Sequence, residues 1–286
     1  MRSWKLVLAV ALVLGVAIWG VGFVGSRDEP TGLGHAAARM PNFAKLNREA
    51  TAKGEMTPLG TPEFSATFTS SKLSKTLWST CFPWMNQSSG CTDFGNADEH
   101  QWYLPSQVRV TGQTLALEAQ QIPTAGFDKN GQPQEYNCRS GMVTTYPGFR
   151  FEYGYVQVEA WIPASLGLWP AIWLAAANQQ WPPEIDMIES WGIKSESAVF
   201  FHPVGAAPAA GHMNPPIGQG WHTFALSWTQ SQLTWFVDGK VVLTVHQQIP
   251  HQQMYFIANL AEYQPTSTPA YCNGQLLIRS IKVWRL

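Results

Sequence analysis

The sequence predicts an all-β fold, a single two-sheet antiparallel β-sandwich or jelly roll. From Glu63 onward, short alternating or β-branched runs are separated by turns, and no helical pattern interrupts them. Asp238-Gly239 stands between two such runs and is typical of a hairpin turn whose two central positions need positive φ. Residues 63–286 fit one large domain better than two. The predicted strands are Gln107–Leu117, Tyr155–Ile162, Ala198–His202, Thr223–Trp228, Leu233–Val237, Val241–Val245, Tyr255–Leu260 and Leu276–Trp284.

The first 25 residues indicate export. Arg2 and Lys5 precede an uncharged run from Leu6 to Gly25, which as a helix could cross about 30 Å of hydrocarbon. Residues 1–25 are therefore predicted to be a signal peptide or an uncleaved membrane anchor, and 26–62 a linker in which a short helix, Ala36–Ala52, is considered. The domain is then expected to be secreted or held at the outer face of the cell membrane.

Composition favours a neutral partner. Only 13% of the 286 residues are charged and the formal net charge is −1, so the chain offers no basic field for nucleic acid or for an anionic membrane surface. Fourteen tryptophans suit a surface that stacks on flat rings as well as a core. The composition thus favours an uncharged ligand, and we expect a monomer that needs no cofactor.

Four cysteines, Cys81, Cys91, Cys138 and Cys272, would lie in an oxidising compartment, where an even count indicates disulfides. Their spacing matches no zinc motif. Cys81–Cys91, closing a loop rich in Gly, Ser and Asn, is the favoured pair, and Cys138–Cys272 follows by elimination. Four cysteines allow three pairings, so the sequence alone does not decide.

Three carboxylates stand close together in the segment Trp181–Trp191, at Glu184, Asp186 and Glu189. In a helix they would lie at about 0°, 200° and 140°, scattered around the axis, and the Pro-Pro pair before Glu184 disfavours a helix. In a strand Glu184 and Asp186 share a face, whereas Glu189 points the other way unless one extra residue is accommodated. A β-bulge at Met187–Ile188 would bring all three to one face.

Three carboxyl groups on one face of a desolvated cleft cannot all ionise cheaply, because burial and like charge both raise carboxyl pKa values. At least one proton should be retained near neutral pH. Glycosidic cleavage with retention needs this state: one carboxylate attacks the anomeric carbon and one carboxylic acid, about 5–5.5 Å away, protonates the leaving oxygen. The alternatives are a calcium site or a solvent-facing strip on an edge strand.

The segment Glu184-Ile-Asp186-Met-Ile-Glu189 resembles the signature of glycoside hydrolase family 16 in its bulged, laminarinase-like form, Glu-x-Asp-x-x-Glu. The resemblance extends to the stretches 153–163, 167–174, 221–228 and 233–240, and so covers about residues 63–286. It implies a concanavalin-like jelly roll with the substrate in a concave cleft. It also implies that Glu184 is the nucleophile, Glu189 the general acid/base and Asp186 their assistant.

Aromatic rings that stack on pyranose faces would give such a cleft affinity without charge. Trp181, three residues before Glu184, is predicted to contact the sugar nearest the scissile bond. Trp169, Trp173 and Trp191 are further candidates, each with the alternative of a place in the core.

Two polar residues complete the predicted site. His202 ends the predicted strand Ala198–His202, at a position where the family often has a cleft histidine. Asn96 begins a segment that resembles the family's Asn-x-Glu sequence, although its spacing to Glu99 is one residue longer.

Many members of the family bind structural calcium through an Asp of the last strand. The matching position here is Arg279, so no metal is expected.

The function expected from these residues is that of a retaining endo-β-glycosidase acting on a neutral β-linked polysaccharide, with β-1,3- or mixed-linkage glucan as the first choice. A transglycosylase that remodels an envelope polysaccharide is the alternative, motivated by the anchor. A carbohydrate-binding protein without turnover ranks lower, because both glutamates are present.

Overall fold

The computed structural model describes residues 60–85, 90–96, 98–165, 167–192, 196–263 and 271–286. The predicted export segment, residues 26–59 of the predicted linker and the helix considered at Ala36–Ala52 lie outside these ranges. In the described part of the chain one short 3-10 helix, Pro105–Gln107, accompanies eighteen strands. No helix within those ranges is long and apolar enough to cross a membrane.

The strands form two large antiparallel sheets and two small pairs. Sheet A has the order β16-β15-β14-β9-β18-β4-β3, with β1 also on β18, and sheet B has the order β13-β12-β11-β10-β17-β8. The all-β expectation is confirmed. The strands are β1 Phe64–Thr67, β2 Gln101–Tyr103, β3 Val108–Thr111, β4 Thr114–Ala119, β5 Thr124–Phe127, β6 Pro133–Tyr136, β7 Cys138–Ser140, β8 Met142–Thr144, β9 Gly154–Ile162, β10 Leu168–Ala176, β11 Glu184–Trp191, β12 Glu196–His202, β13 Ala209–His212, β14 Gly220–Trp228, β15 Leu233–Val237, β16 Lys240–Val245, β17 Met254–Glu262 and β18 Gly274–Trp284.

The main core lies between the two sheets and follows the two-residue period of the strands. In β9, Val156, Val158 and Ala160 are fully buried, whereas the side chains between them face outward. Sheet B supplies the facing layer, for example Ile172 of β10 and Leu260 of β17. Burial of both inner faces is the main stabilising contribution in such a sandwich.

Two hairpins show how turn chemistry sets the strand boundaries. Asp238 and Gly239 adopt φ values of 48° and 75°, so the predicted turn between β15 and β16 is confirmed. The predicted single strand Gln107–Leu117 is wrong, because the chain reverses at Gly112 and Gln113, with φ values of 55° and 63°, and forms the β3–β4 hairpin. The sequence signal, Gly before Gln, is weaker than Asp-Gly.

Both disulfides join the favoured pairs. Cys81 and Cys91 bridge a ten-residue separation beside the cleft described below, with 5.8 Å between their Cα atoms. Cys138 and Cys272 connect β7 with the segment before β18 across 134 positions, with 5.9 Å between Cα atoms. The second bridge closes by far the longer loop, and long loops lose the most unfolded-chain entropy when they are cross-linked.

Arg279 lies on the outer face of sheet A. Its guanidinium forms an ion pair with Glu159 and lies 4.0 Å from the ring centroid of Trp221. A cation thus already occupies this position of β18. That no calcium binds there stays a prediction.

Candidate active site

The three predicted carboxylates meet on one face of sheet B because β11 carries an extra residue. On one side Glu184, Asp186 and Glu189 pair with alternate residues of β10, Ala175, Trp173 and Ala171, and the register shifts between Ile172 and Trp173. On the other side they pair with His202, Phe200 and Ala198 of β12, with a shift between Asp186 and Glu189. Directly paired residues of antiparallel strands project to the same face. The bulge therefore lies where the sequence predicted it.

The core holds this bulge in place. Met187 and Ile188, the residues of the bulge, are 1% and 0% exposed and pack between the two sheets. From sheet A, the buried indole of Trp235 donates a hydrogen bond of 2.9 Å to the backbone carbonyl of Asp186. A cross-sheet contact thus satisfies a backbone acceptor at the irregular point of the ladder.

Burial and neighbouring charges make Glu184 and Asp186 reluctant to ionise together. Burial, followed by the negative charge of Asp93, raises the pKa of Glu184 to about 7, and a hydrogen bond with Trp181 opposes the rise. Burial, then the charges of Glu184 and Glu189, raises the pKa of Asp186 well above its ordinary value. The arrangement therefore favours a protonated Asp186 beside an ionised Glu184 near neutral pH.

Glu189 is oriented by a tryptophan. The indole nitrogen of Trp169 donates to Oε1 of Glu189 at 3.0 Å. Trp169 is 9% exposed and is held between Trp191 and Tyr263, with ring centroids 5.4 and 5.8 Å away. A carboxyl group oriented through one oxygen presents the other in a defined direction, as a proton donor needs.

His202 lies opposite Glu184 in the register of β11 and β12. Its Nε2 is 3.7 Å from Oε1 of Glu184 and 3.5 Å from Oδ2 of Asp186. Burial lowers the pKa of His202, which favours the neutral imidazole beside the two acids. These three side chains also form the one group in the described residues whose ligand atoms lie close enough, within 4.8 Å, for a metal.

The four predicted tryptophans take different positions. Trp181 is 68% exposed at the edge of the cleft, where its ring is available for stacking, with its centroid 5.8 Å from that of His202. Trp173 and Trp169, both on β10, line the cleft. Trp191 lies beyond Glu189, packs against Trp169 and Phe200, and is not among the residues that line this cavity, so its sugar-binding role stays a prediction beside the alternative of a packing role.

The other wall of the cleft contains a hydrogen-bond network that the sequence did not reveal. Glu99 accepts hydrogen bonds on Oε2 from Nε2 of Gln101 at 2.6 Å and from the hydroxyl of Tyr103 at 3.1 Å. Asn259 donates to Tyr103 at 3.0 Å and accepts the indole hydrogen of Trp173 at 2.7 Å. The network connects Glu99 to the aromatic floor, and burial raises the pKa of Glu99 to about 8.

Asn96 lies beside Glu99 in this wall, as its sequence segment suggested, and both line the cleft with Asp93. The side-chain oxygen of Asn96 accepts the backbone N–H of Asp98 at 3.1 Å, so one end of the amide is used within its own turn. Asp93 is the residue that sequence reasoning missed altogether. The charge that it places near Glu184 depends on a fold contact that no local motif records.

The three carboxyl groups line a cavity of about 610 Å³ together with His202, Trp169, Trp173 and Trp181, and this volume is within the range of ligand-binding clefts. Two carboxyl groups on one strand, a third between them and aromatic rings on both sides can carry out general acid and nucleophilic chemistry on a neutral substrate.

The sequence matches the family model described as glycosyl hydrolases family 16 over residues 96–272, more than half of the chain. Two Rhizobium meliloti (strain 1021) proteins are similar to it. Endo-1,3-1,4-beta-glycanase ExsH is 29% identical over 204 residues, 68% of this chain and 43% of that protein. Endo-1,3-1,4-beta-glycanase EglC is 30% identical over 193 residues, 62% of this chain and 40% of that protein. The chain thus spans less than half the length of either relative.

Solved structures share the fold. The laminarinase catalytic domain from Thermotoga petrophila RKU-1 superposes with a TM-score of 0.65 at 21% identity, over 78% of this chain and 96% of that one. LamA from Z. galactanivorans, solved with laminaritriose and laminaritetraose, superposes with a TM-score of 0.66 at 23% identity, over 80% of this chain and 100% of that one.

A third protein is similar in sequence. The Beta-1,3-glucan-binding protein of Penaeus monodon is 29% identical over 129 residues, 37% of this chain and 35% of that protein.

Proposed function

We propose that this chain, which belongs to glycosyl hydrolases family 16, is a retaining endo-β-glycosidase that cleaves a neutral β-linked polysaccharide. The observation that carries the proposal is the register of β11, in which one extra residue puts Glu184, Asp186 and Glu189 on the same face of the cleft. The names of the relatives favour a β-1,3- or mixed-linkage β-glucan as the substrate.

In the proposed first step, an oxygen of the Glu184 carboxylate attacks the anomeric carbon. The bond from that carbon to the leaving oxygen breaks, and Glu189 delivers its proton to that oxygen. Asp186 retains a proton, so Glu184 bears the negative charge of the pair. The product is a glycosyl ester on Glu184 and a shortened saccharide with a free hydroxyl.

In the second step, Glu189 is a carboxylate and takes a proton from water as the water attacks the anomeric carbon. The ester to Glu184 breaks, and a second inversion restores the original configuration. The hydrogen bond from Trp169 holds Glu189 for both steps. Trp181, whose ring is exposed beside the nucleophile, is proposed to stack on the adjacent sugar, and His202 to bond a hydroxyl there.

Residues 1–25 are proposed to export the domain, residues 26–62 to link it to that segment, and residues 63–286 to form the catalytic unit. Retention of the first segment would place the enzyme at the outer face of the membrane, close to an envelope polysaccharide. Product analysis by mass spectrometry distinguishes hydrolysis from transglycosylation of an envelope polysaccharide, since only transglycosylation gives oligosaccharides longer than the input.

The test of the proposed function is reducing-sugar release from laminarin, lichenan, galactan and agarose. We expect release from laminarin or lichenan. Release from galactan or agarose alone would keep the reaction and overturn the glucan assignment. A folded protein that releases nothing from any of the four, yet binds one of them, would favour the non-catalytic alternative.

Asp93 is expected to move the acid limb of the pH profile to higher pH, in addition to the larger effect of burial. The ratio kcat/KM reports the free enzyme, in which Glu184 has to be ionised, so kcat/KM should fall as the pH is lowered through about 7. The Asp93 charge is one cause of the raised Glu184 pKa, so Asp93→Asn should move this limb to lower pH. Asp98→Asn, an exposed carboxyl of the same loop, is the control. An unmoved limb in Asp93→Asn, or equal movement in both variants, would contradict the assignment.

A further inference from the structure

Three side chains of the catalytic cleft bring a nitrogen and two carboxyl oxygens to one point. Nε2 of His202 lies 3.7 Å from Oε1 of Glu184 and 3.5 Å from Oδ2 of Asp186. Ligand atoms of the three residues all lie within 4.8 Å of one another. Two ligands at about 2.1 Å from a tetrahedral zinc ion are about 3.4 Å apart, so the three side chains could bind one ion after small movements.

Asp186 contributes an oxygen that has no partner. The residue is 3% exposed, and its Oδ2 accepts no hydrogen bond from the residues that the structure describes. The register of β11 and β12 places Asp186 on the same face of sheet B as Glu184 and His202, and all three line the catalytic cavity. Buried carboxyl oxygens usually have a partner. An ion between this oxygen and Nε2 of His202 would provide one.

The donor set favours a transition metal over calcium or magnesium. Calcium takes about six to eight oxygen ligands, and magnesium keeps an octahedral shell of oxygens and water. One of the three donors here is an imidazole nitrogen, which suits zinc and copper. The side chains of Glu184 and His202 are 18% and 25% exposed, so an ion could enter between them from the cleft. A fourth coordination position would face the cleft.

We propose that Glu184, Asp186 and His202 form an inhibitory site for a divalent transition ion, with Zn²⁺ as the first candidate. The inference rests on the proposed function, in which a free carboxylate of Glu184 attacks the sugar, and it adds a means of regulating that reaction. An ion coordinated by Glu184 uses the oxygen that has to attack the anomeric carbon, and it occupies the space of the reacting sugar. The ion also takes the place of the proton on Asp186.

The general acid/base lies outside the proposed site. Oε1 of Glu189 accepts the indole hydrogen of Trp169, and Glu189 is not a member of the group of three ligands. Bound Zn²⁺ therefore blocks the nucleophile and leaves the proton donor in place. We expect the ion and the polysaccharide to exclude each other, which is competitive inhibition.

Calorimetric titration of the full-length chain with Zn²⁺ tests binding without turnover. We expect one ion per chain, and no binding of Mg²⁺ or Ca²⁺ at the same concentrations. His202→Gln removes the imidazole nitrogen and Asp186→Asn removes the carboxylate, and each should raise the Kd for Zn²⁺ at least about tenfold. His212→Gln is the matched control, because His212 is exposed on the neighbouring strand β13 and outside the cavity lining. Its Kd should equal that of the wild type.

Reducing-sugar release then tests inhibition. Zn²⁺ at ten times its Kd should lower kcat/KM about tenfold, should leave kcat unchanged, and should be reversed by EDTA. His202→Gln, compared with its own rate without metal, should resist Zn²⁺, whereas His212→Gln should respond as the wild type does.

The outcomes separate this proposal from the proposed function. No Zn²⁺ binding by the wild type, equal binding by His202→Gln, or binding without inhibition of an active enzyme would overturn the inhibitory site. Zn²⁺ binding that depends on His202 and Asp186, in a folded chain that releases no sugar, would support the metal site and reject the proposed activity. Sugar release that Zn²⁺ does not change would support the activity and reject the site.

Discussion

Replacing Glu184 by alanine is expected to lower kcat/KM by at least about 10⁴-fold, because it removes the group that forms the covalent intermediate. The shortened side chain leaves space beside the anomeric carbon on the face opposite the leaving group. Sodium azide should then restore part of the turnover and give a glycosyl azide of inverted configuration, since a single displacement replaces two. Nuclear magnetic resonance of the product determines that configuration.

Glu196→Ala is the matched control, because Glu196 is an exposed glutamate on the neighbouring strand β12. It should keep wild-type kinetics. An azide product that retains the substrate configuration in Glu184→Ala would assign the nucleophile to another residue, and Glu189 would be examined first.

The second large effect is expected for Glu189→Ala, and it should depend on the leaving group. On a polysaccharide the leaving alkoxide needs a proton, so kcat/KM should fall about 10²–10⁴-fold. An aryl glycoside with an acidic phenol needs no proton, so its first step should stay fast. The glycosyl–Glu184 ester then accumulates because the base for the second step is missing, and a burst of phenol precedes a slow steady state.

Trp169→Phe separates orientation from chemistry at this residue. It keeps an aromatic ring and removes the indole N–H that holds Glu189, so it should reduce polysaccharide turnover and leave the first, phenol-releasing step on the aryl glycoside fast. Equal losses on both substrates in Glu189→Ala would contradict the acid/base assignment and indicate that the substitution damages the cleft as a whole.

Local chemistry explains why the centre of the site could be predicted from sequence. The Pro-Pro pair excludes a helix, and carboxylates spaced two and three residues apart share a face of a strand only across a bulge. Met187 and Ile188, apolar and adjacent, fill the position where that bulge has to point into the core. All the information lies within eleven residues, Trp181–Trp191, so no distant contact is needed to derive the arrangement.

The opposite wall could not be derived in this way. The charge of Asp93 acts on Glu184, and that of Glu184 on Glu99, only because the loop before β2 packs against sheet B. The contact of Tyr103 with Asn259 spans 156 positions. One local signal was present: Asn259 is the only amide in the otherwise apolar run of β17 from Met254 to Ala261. A polar side chain in a strand buried on both faces requires a partner. The single strand Gln107–Leu117 was predicted wrongly because the turn dipeptide Gly112-Gln113 is a weaker signal than Asp-Gly.

The hydrogen bond from Trp235 to the backbone carbonyl of Asp186 crosses the interior from sheet A. The position of the reacting carboxyl groups is therefore fixed by the core and not by the loops. Loops around the cleft, such as the one that carries Asp93, Asn96 and Glu99, are free of that task. Insertion, deletion or substitution in these loops could therefore change which glycan is accepted while the distance between the carboxylates is preserved. In this architecture, the spacing of the catalytic carboxylates can be inherited unchanged while the substrate range evolves.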